Sequence, residues 1–318
     1  MVLSWPGLGL AGPAFAEKQA AQQVEVAALA RGLLNGQARP AQVANRAAFL
    51  GQERVVVSVL AEGLGAGSSP EQRRDIYEAL SLLKHPSAVA PLVLGLDDED
   101  ATVRRLAAQG IGKIGNPKPG PKLAGLLNDK NPGVRKEAAR SLGMVGNAAW
   151  SKALVKAAGA EGESDVRAVM LVAVGLSKDR KQESALVGFL DSSSQVTRLA
   201  AARALCLLGS PKGLGVAKRQ LVSTEPSERL QGVLMLEGAP ASLSRPLLVP
   251  RLEDSDKAVA AASARVLYQS GEQPMLTWLV LQSFHAPIDD KSVWERELET
   301  LRLSPEQRDA ILSKEGLR

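Results

Sequence analysis

The stretch DATVRRLAAQGIGKIGN, Asp100–Asn116, occurs again in altered form as NPGVRKEAARSLGMVGN, Asn131–Asn147. Both copies contain a Val-Arg pair, an Ala pair and a closing Gly-Asn at equivalent positions. Their arginines, Arg104 and Arg135, are 31 residues apart. Self-similarity at a fixed period of this length indicates an array of short units, each of which buries its apolar face only against its neighbours.

The arginine recurs at steps of 31 or 32 residues along much of the chain. Its positions, which we call the Arg positions, are Arg73, Arg104, Arg135, Arg167, Arg198 and Arg229, and one further step reaches Ala260. An apolar residue follows seven residues after each of them: Leu80, Ile111, Leu142, Val174, Leu205, Leu236 and Leu267. This shared register predicts about seven similar units.

Each unit has the pattern of two helices joined by a turn. The Arg-bearing helix follows a residue whose short side-chain oxygen can cap a helix start, namely Asp100, Asn131, Ser194 or Asp256. In the first copy Val103, Ala107 and Ile111 recur at helical spacing, and Gly115 suits a left-handed helix end. The partner helix is leucine-rich and is followed by an acidic residue, as in GPKLAGLLND. The sequence therefore predicts an all-α fold, an α-solenoid of about seven helical hairpins.

The pattern of a Leu-rich helix, an acid and then D-x-x-V-R-x-x-A-A-x-x-L-G resembles the short HEAT-like repeats of phycobilin lyases and many bacterial proteins. LDDEDATVRRLAAQGIGKIG and LNDKNPGVRKEAARSLGMVG match this pattern closely, and later units match it more loosely. The resemblance covers roughly residues 70–282. It implies a superhelix in which the Arg-bearing helices line the concave face, and it implies almost nothing about function.

The two ends of the chain break the period. Residues 1–16 are apolar and close on an A-x-A pattern, which predicts a signal peptide, although no Lys or Arg precedes the apolar run. Residues 17–68 predict an N-terminal cap of two helices, residues 69–282 the HEAT-like repeats, and residues 283–318 a C-terminal helical cap. Ser69 and Ser304 each begin a Ser-Pro-Glu-Gln sequence, which predicts a capping box. We expect export to the periplasm or cell envelope of a bacterium, or a cytoplasmic location if no leader is cleaved.

The composition argues against several classes of site. The 39 basic and 34 acidic residues are interleaved and give a net charge of +5, so nucleic acid is not a favoured partner. One cysteine, Cys206, and two histidines, His85 and His285, are too few for a zinc site, and we expect no metal or cofactor. Neither histidine lies in a catalytic motif. No segment after the first is long enough to span a membrane. We therefore expect a protein that is not an enzyme.

The repeated arginines favour a structural role over chemistry. Asp98, Asp129 and Asp254 each stand six residues before the Arg position of their unit. In a stacked array an arginine can therefore reach an acid or a carbonyl of its own or the next unit. We interpret the arginines as a ladder that ties hairpins together, with an anion-binding ladder as the alternative: Arg73, Arg104, Arg135, Arg167, Arg198 and Arg229.

Positions one and five residues after the Arg positions are the candidates for partner binding. They predict a face that is basic towards the middle, with an apolar patch at Leu230 and Leu234, although an ordinary solvated surface stays open. The residues are Arg105, Gln109, Lys136, Arg140, Arg203, Leu230, Leu234 and Arg265. Our hypothesis is a monomeric scaffold that binds another protein on its concave face. The alternatives are a lyase-like or enzyme-accessory protein of the phycobilin-lyase type, and nucleic-acid binding through the basic face.

Overall fold

The computed structural model describes residues 13–65 and 67–317, and this part of the chain forms helices joined by turns, with no strand. Short 3-10 turns extend several of the first helices of the hairpins. The α-helices are α1 Pro13–Leu34, α2 Pro40–Leu50, α3 Glu53–Glu62, α4 Pro70–Leu82, α5 Val89–Gly95, α6 Ala101–Ile114, α7 Gly120–Gly125, α8 Pro132–Val145, α9 Ser151–Ala160, α10 Ser164–Leu176, α11 Glu183–Gly188, α12 Gln195–Leu207, α13 Pro211–Leu221, α14 Pro226–Met235, α15 Ala241–Leu248, α16 Lys257–Gln269, α17 Pro274–His285, α18 Ile288–Thr300 and α19 Pro305–Lys314.

Seven consecutive pairs, from α3/α4 to α15/α16, are the repeated hairpins. The second helix of each pair carries the Arg position, and in α16 Ala260 takes that place. The predicted all-α repeat solenoid is therefore confirmed. The helices form two compact units, one ending at Val145 and one beginning at Gly146. Unit 1 contains α1 to α8 and unit 2 contains α9 to α19.

Local sequence explains how α6 forms and packs. The Asp100 carboxylate accepts the amide of Thr102 at 2.7 Å and caps the helix start, while Gly115 ends the helix with φ 73°. Small residues let the Arg-bearing helices of unit 1 approach closely. A Cβ atom on Gly112 would lie 2.6 Å from the Ser141 hydroxyl of α8, so glycine is required there.

Two hairpins end their second helix on lysine where others use glycine. Lys84 and Lys178 adopt the left-handed conformation, with φ of 48° and 57°. Equivalent residues in other hairpins are Gly115, Gly146, Gly209 and Gly271, all with positive φ. The Lys178 ammonium group donates to the carbonyls of Leu207 at 2.8 Å and Gly238 at 3.2 Å, so its strained backbone is accompanied by contacts to two later hairpins of unit 2.

The N-terminal region differs from the expected pair of helices. Gly51 has a φ of 65° and ends α2, so the segment expected as one helix is divided into α2 and α3. The prediction of a signal peptide lies mostly outside the described residues, and residues 13–16 begin α1. Both predicted capping boxes are present, at Ser69 with Gln72 and at Ser304 with Gln307.

The core of each unit is made of small and aliphatic side chains. In unit 1 Leu80, Leu92 and Ile111 are fully buried. In unit 2 Cys206 lies inside an apolar cluster, and burial raises the pKa of its thiol to about 12. At the C-terminal end Trp278 and Trp294 meet edge to face, with ring centroids 5.6 Å apart. Among the described helices, none has the length and apolar character that crossing a membrane requires.

Candidate functional site

Arg104 on α6 contacts two consecutive hairpins of unit 1. Its Nε and Nη2 atoms donate to the two carboxylate oxygens of Asp129, at 2.7 and 2.9 Å. Its Nη1 atom donates to the carbonyls of Asp98 and Glu99, at 2.8 and 2.9 Å. The same guanidinium therefore closes the turn before its own helix and pairs with the acid that precedes α8.

Two further arginines have the same geometry. Arg229 pairs through Nε and Nη2 with Asp254, at 2.8 to 3.2 Å, and donates to the carbonyls of Ser223 and Thr224. Arg73 donates to Asp98 at 3.0 Å, and also to Glu99 and to the carbonyl of Ser68. In both cases the carboxylate belongs to the next hairpin along the chain.

The remaining Arg positions contact backbone carbonyls of their own hairpins. Arg135 donates to the carbonyls of Asp129 and Lys130, and Arg198 to those of Ser192 and Ser193. Arg167 donates to the carbonyls of Ala158 and Glu161. All six predicted arginines thus lie at the turn that precedes their own helix.

Arg104 and Arg229 also lower the pKa values of the aspartates with which they pair. Burial by itself raises the pKa of Asp129, but the hydrogen bonds from Arg104 and from the amide of Asn131 hold that pKa below its usual value. The pKa of Asp254 is lowered in the same way, with Arg229 opposing the effect of burial. Both carboxylates are therefore ionised at neutral pH.

The predicted residues on α6 and α8 of unit 1 are polar and largely basic, although Met144 of α8 is also exposed. On α6, Arg105, Gln109 and Lys113 are each partly exposed and lie four residues apart, which places them on one side of the helix. On α8, Lys136 is partly exposed, and the exposed Arg140 donates to Glu137 at 2.5 Å. The structure thus brings the predicted unit 1 residues to one side of neighbouring helices.

The corresponding side of unit 2 is more apolar. Leu230 and Leu234 on α14 are partly buried, and Leu230 packs against the hydrophobic core together with Leu199 of α12. Arg203 is partly exposed and donates to Glu237 at 3.1 Å. The predicted apolar patch is therefore a half-buried surface and not a set of fully exposed side chains.

Arg265 corrects the sequence-based choice of exposed residues. Its side chain is only 5% exposed, and its Nη1 atom donates to Glu237 at 2.5 Å and to Gln269 at 3.0 Å. Its Nε atom donates to Glu297 of α18. Because α18 packs over α16, Arg265 is enclosed between two acids and does not belong to a surface that meets a partner. Glu297 lies beyond the periodic region, so the repeat pattern offered no signal for this pair.

One histidine lies at a turn and the other at the exposed end of a helix. His85 Nδ1 lies 2.7 Å from the Ser87 hydroxyl at a short turn, and His285 is exposed at the end of α17. In the described part of the chain, no three His, Cys, Asp or Glu side chains are grouped so that they could hold a metal ion.

A groove between α17, α18 and α19 was not foreseen from the sequence. It has a volume of about 360 Å³ and an apolar floor that includes Leu298 and Leu312. Glu295 at its side accepts from the Ser283 hydroxyl and from Arg308, both at 2.5 Å. The charges that line it are thus largely paired with each other.

Comparison with known proteins finds HEAT repeats in part of the chain. The family model for HEAT repeats matches residues 57–143 and 89–175. No curated protein matches the sequence. The complex of CpcE and CpcF of phycocyanin lyase from Nostoc sp. PCC7120 is similar in structure, with a TM-score of 0.53 and 20% identity over 77% of this chain and 94% of that chain.

Two other solved structures show weaker similarity. An engineered protein has a TM-score of 0.43 and 19% identity, over 92% of each chain. Human deoxyhypusine hydroxylase has a TM-score of 0.35 and 18% identity, over 78% of this chain and 96% of that chain. The likeness to the CpcE–CpcF structure, at 20% identity, concerns the fold alone.

Proposed function

We propose that the chain is a non-catalytic, monomeric scaffold that binds another protein along the exposed side of its Arg-bearing helices, and the match of residues 57–143 and 89–175 to HEAT repeats supports this. We call this side the binding face, and it comprises those residues one, five and nine positions after each Arg position that are not buried, so Arg265 is left out. By the family resemblance it corresponds to the concave face.

The contrast between repeated and unrepeated positions carries this proposal. The inward residue seven after each Arg position is aliphatic in every hairpin, as Leu80, Ile111 and Leu142 illustrate. The residues on the binding face change from one hairpin to the next, from Arg105 and Gln109 on α6 to Leu230 and Leu234 on α14. A constant interior with a varied surface is what an array needs if stacking is the same throughout but each hairpin makes a different contact.

The likeness to the CpcE–CpcF complex supports a protein partner, since that HEAT-type fold occurs in a complex of two chains. The same likeness favours a second candidate, a lyase-type or enzyme-accessory role. Incubation of the purified chain with a bilin chromophore tests that candidate. A shifted absorbance band would support it, and an unchanged spectrum would leave the scaffold proposal as the better one.

Export to the periplasm or cell envelope is a separate proposal, and the apolar residues 1–16 with their A-x-A ending support it. We expect N-terminal sequencing of the protein from its native cells to begin at Glu17. Mature chains that begin at Met1 would contradict export.

Photo-crosslinking tests the scaffold proposal. A photoreactive residue at Gln109 or at Leu234 places a probe on the binding face of unit 1 or unit 2. The matched controls are Lys118, in the turn after α6, and Lys218, exposed on α13. We expect the face positions to crosslink to a discrete protein in the native cell envelope and the controls to remain uncoupled. Crosslinks from the controls alone would show that the wrong surface was chosen.

A further inference from the structure

Two cations on the binding face of α6 have no carboxylate partner. In the described part of the chain, neither Arg105 nor Lys113 has an acidic group within ion-pair distance. The aliphatic stem of Arg105 runs past the start of α8, with its Cδ 4.0 Å from the place that a Cβ on Gly133 would take. The Lys113 ammonium group reaches only the carbonyl of Ser81, at 3.4 Å.

A third cation adjoins them at the end of α4. Lys84 is exposed, and in the described residues it too has no acidic partner. Burial and then the positive charge of Lys84 lower the pKa of Lys113, against an opposite effect of Glu137. The Lys113 ammonium group lies 3.4 Å from the Ser81 carbonyl, three residues before Lys84, so both lysines are at the end of α4 and their positive charges repel each other.

The nearby acids do not neutralise this group. Glu137 on α8 is 5% exposed and already pairs with Arg140. Glu78 is exposed on the binding face of α4. Its single negative charge is outnumbered by the three positive charges of Lys84, Arg105 and Lys113, so an excess of positive charge remains.

Other arginines one or five residues after an Arg position have internal partners. Arg74 pairs with Asp100, Arg203 with Glu237, and Arg265 with Glu237 and Glu297. In the part of the chain that the structure describes, Arg105 and Lys113 therefore differ from these three arginines in having no acidic partner.

We propose that Lys84, Arg105 and Lys113, which we call the cation row, bind an acidic segment of the partner protein. This inference rests on the proposed binding face and states which kind of partner segment binds to unit 1 on that face. Carboxylates spaced along an extended peptide would accept hydrogen bonds from successive members of the row. Such pairing supplies orientation and a faster approach of the partner more than it supplies affinity.

A protein segment fits the cation row better than a nucleic acid does. The aromatic side chain of α4, Tyr77, is buried, and α6 and α8 have none, so the face lacks a platform on which bases could stack. Neighbouring helices pack about 8–10 Å apart, so the row is short compared with a duplex footprint of many phosphates. Glu78 would also repel a continuous phosphate backbone.

The experiment measures binding of a fluorescent peptide of alternating glutamate and alanine to the full chain at low salt. The test variant is Arg105→Gln with Lys113→Gln, which removes two charges and introduces none. The matched control is Lys118→Gln with Lys130→Gln, which makes the same change at two exposed turn residues of unit 1 that have no ion pair among the described residues. Thermal melting verifies that all three proteins remain folded.

We expect the native chain to bind the peptide, the test variant to bind it about tenfold more weakly, and the control to change it by less than about twofold. A second test variant, Lys84→Gln, keeps the proposal falsifiable if the double variant does not fold. We expect it to weaken peptide binding in the same direction by about threefold. Added salt should weaken binding of the native chain, since exposed charges are screened.

Three outcomes would overturn the proposal: no peptide binding by the native chain, equal weakening in the test variant and the control, or tighter binding of a single-stranded DNA of the same charge. The last would assign the row to nucleic acid. Crosslinking from Leu234 together with absent peptide binding would refute the acidic segment and leave the scaffold proposal standing. Absence of crosslinking from both Gln109 and Leu234 would contradict the scaffold proposal itself.

Discussion

At the scale of single residues, the pairing of Arg104 with Asp129 combines an ion pair with the closure of a turn. Both side chains are less than a tenth exposed, so the pair is little screened by water. Such a pair adds modest net stability compared with an apolar substitute, but removal of one partner leaves the other charge buried. Its main effect is therefore to hold successive hairpins in one register.

Arg104→Ala should lower the free energy of unfolding by about 3 kcal/mol, because Asp129 keeps a buried charge and the carbonyls of Asp98 and Glu99 lose their donor. Chemical denaturation measures the change. Arg198→Ala is the matched control, since the structure shows it bonding to the carbonyls of Ser192 and Ser193. An unchanged midpoint for Arg104→Ala would refute the structural ladder.

The ladder also predicts a dependence on acid. The pKa values of Asp129 and Asp254 are lowered in the folded chain, so the stability from these groups is present above the pKa of an unfolded Asp, about 4. That stability is lost as the pH falls through the folded pKa values. Melting temperatures between about pH 7 and pH 3 should therefore fall steeply below about pH 4. The variant Asp129→Asn should show a shallower fall than the native chain, and an identical slope would contradict this assignment.

At the scale of helices, the ends of the Arg-bearing helices depend on a left-handed residue. Gly115 adopts the left-handed conformation without strain because it has no Cβ atom. Lys84 adopts the same conformation, and its Cβ atom makes that conformation sterically costly. The presence of lysine at this strained position agrees with its proposed place in the cation row. On this proposal Lys84 lowers the stability of the folded chain and strengthens binding of the acidic segment.

Lys84→Gly should raise the free energy of unfolding by up to about 1 kcal/mol, because the steric cost of a left-handed lysine exceeds the extra flexibility of glycine. The same variant should bind the acidic peptide more weakly. Denaturation and peptide titration of one preparation measure both effects. Gly115→Ala provides the reverse control and should lower stability by about 1 kcal/mol. A loss of stability in Lys84→Gly would show that the side chain makes a favourable contact in its place.

Arg265 links α16 to α18 through Glu297, beside an apolar cluster that includes Ala264 and Leu298. Arg265→Ala should cost about 3 kcal/mol, because Glu237 and Glu297 lose the cation between them. Arg245→Ala, which removes a largely exposed pair with Glu272, should cost less than about 1 kcal/mol. Denaturant midpoints distinguish the two. Equal effects would mean that burial of Arg265 is not what makes the pair important.

At the scale of the whole molecule, successive hairpins pack against one another within each compact unit, as α6 packs against α8 and α10 against α12. Stability in such arrays is close to a sum of hairpin terms and nearest-neighbour terms. The two compact units, divided after Val145, are therefore expected to respond separately to local changes.

Hydrogen exchange tests this locality. Arg104→Ala should accelerate amide exchange chiefly in α6 and α8, and Arg265→Ala chiefly in α16 and α18. The two variants serve as controls for each other. Uniform acceleration along the chain in both would show a single cooperative unit in place of a nearest-neighbour array.

Much of the fold follows from local patterns that any single hairpin displays. Asp100 caps the start of α6, Gly115 ends it, and Val103, Ala107 and Ile111 face inward. Helix α6 is therefore predictable without reference to distant residues. The repetition of this pattern then predicts the array and the acids that each arginine can reach. The divided helix at Gly51 was missed because glycine inside an apolar pattern gives no certain sign of a break.

The amino-acid sequence by itself determined the all-α repeat, its register and the inward side of its helices, because caps, glycines and apolar spacing act within one hairpin. Only the tertiary structure decided which charges remain available. Arg265 and Arg105 occupy comparable places in the pattern, yet Arg265 is enclosed by Glu237 and Glu297, while Arg105 has no acid within ion-pair distance in the described part of the chain. Exposure and pairing depend on residues about 25 or more positions away, in helices that local spacing does not place.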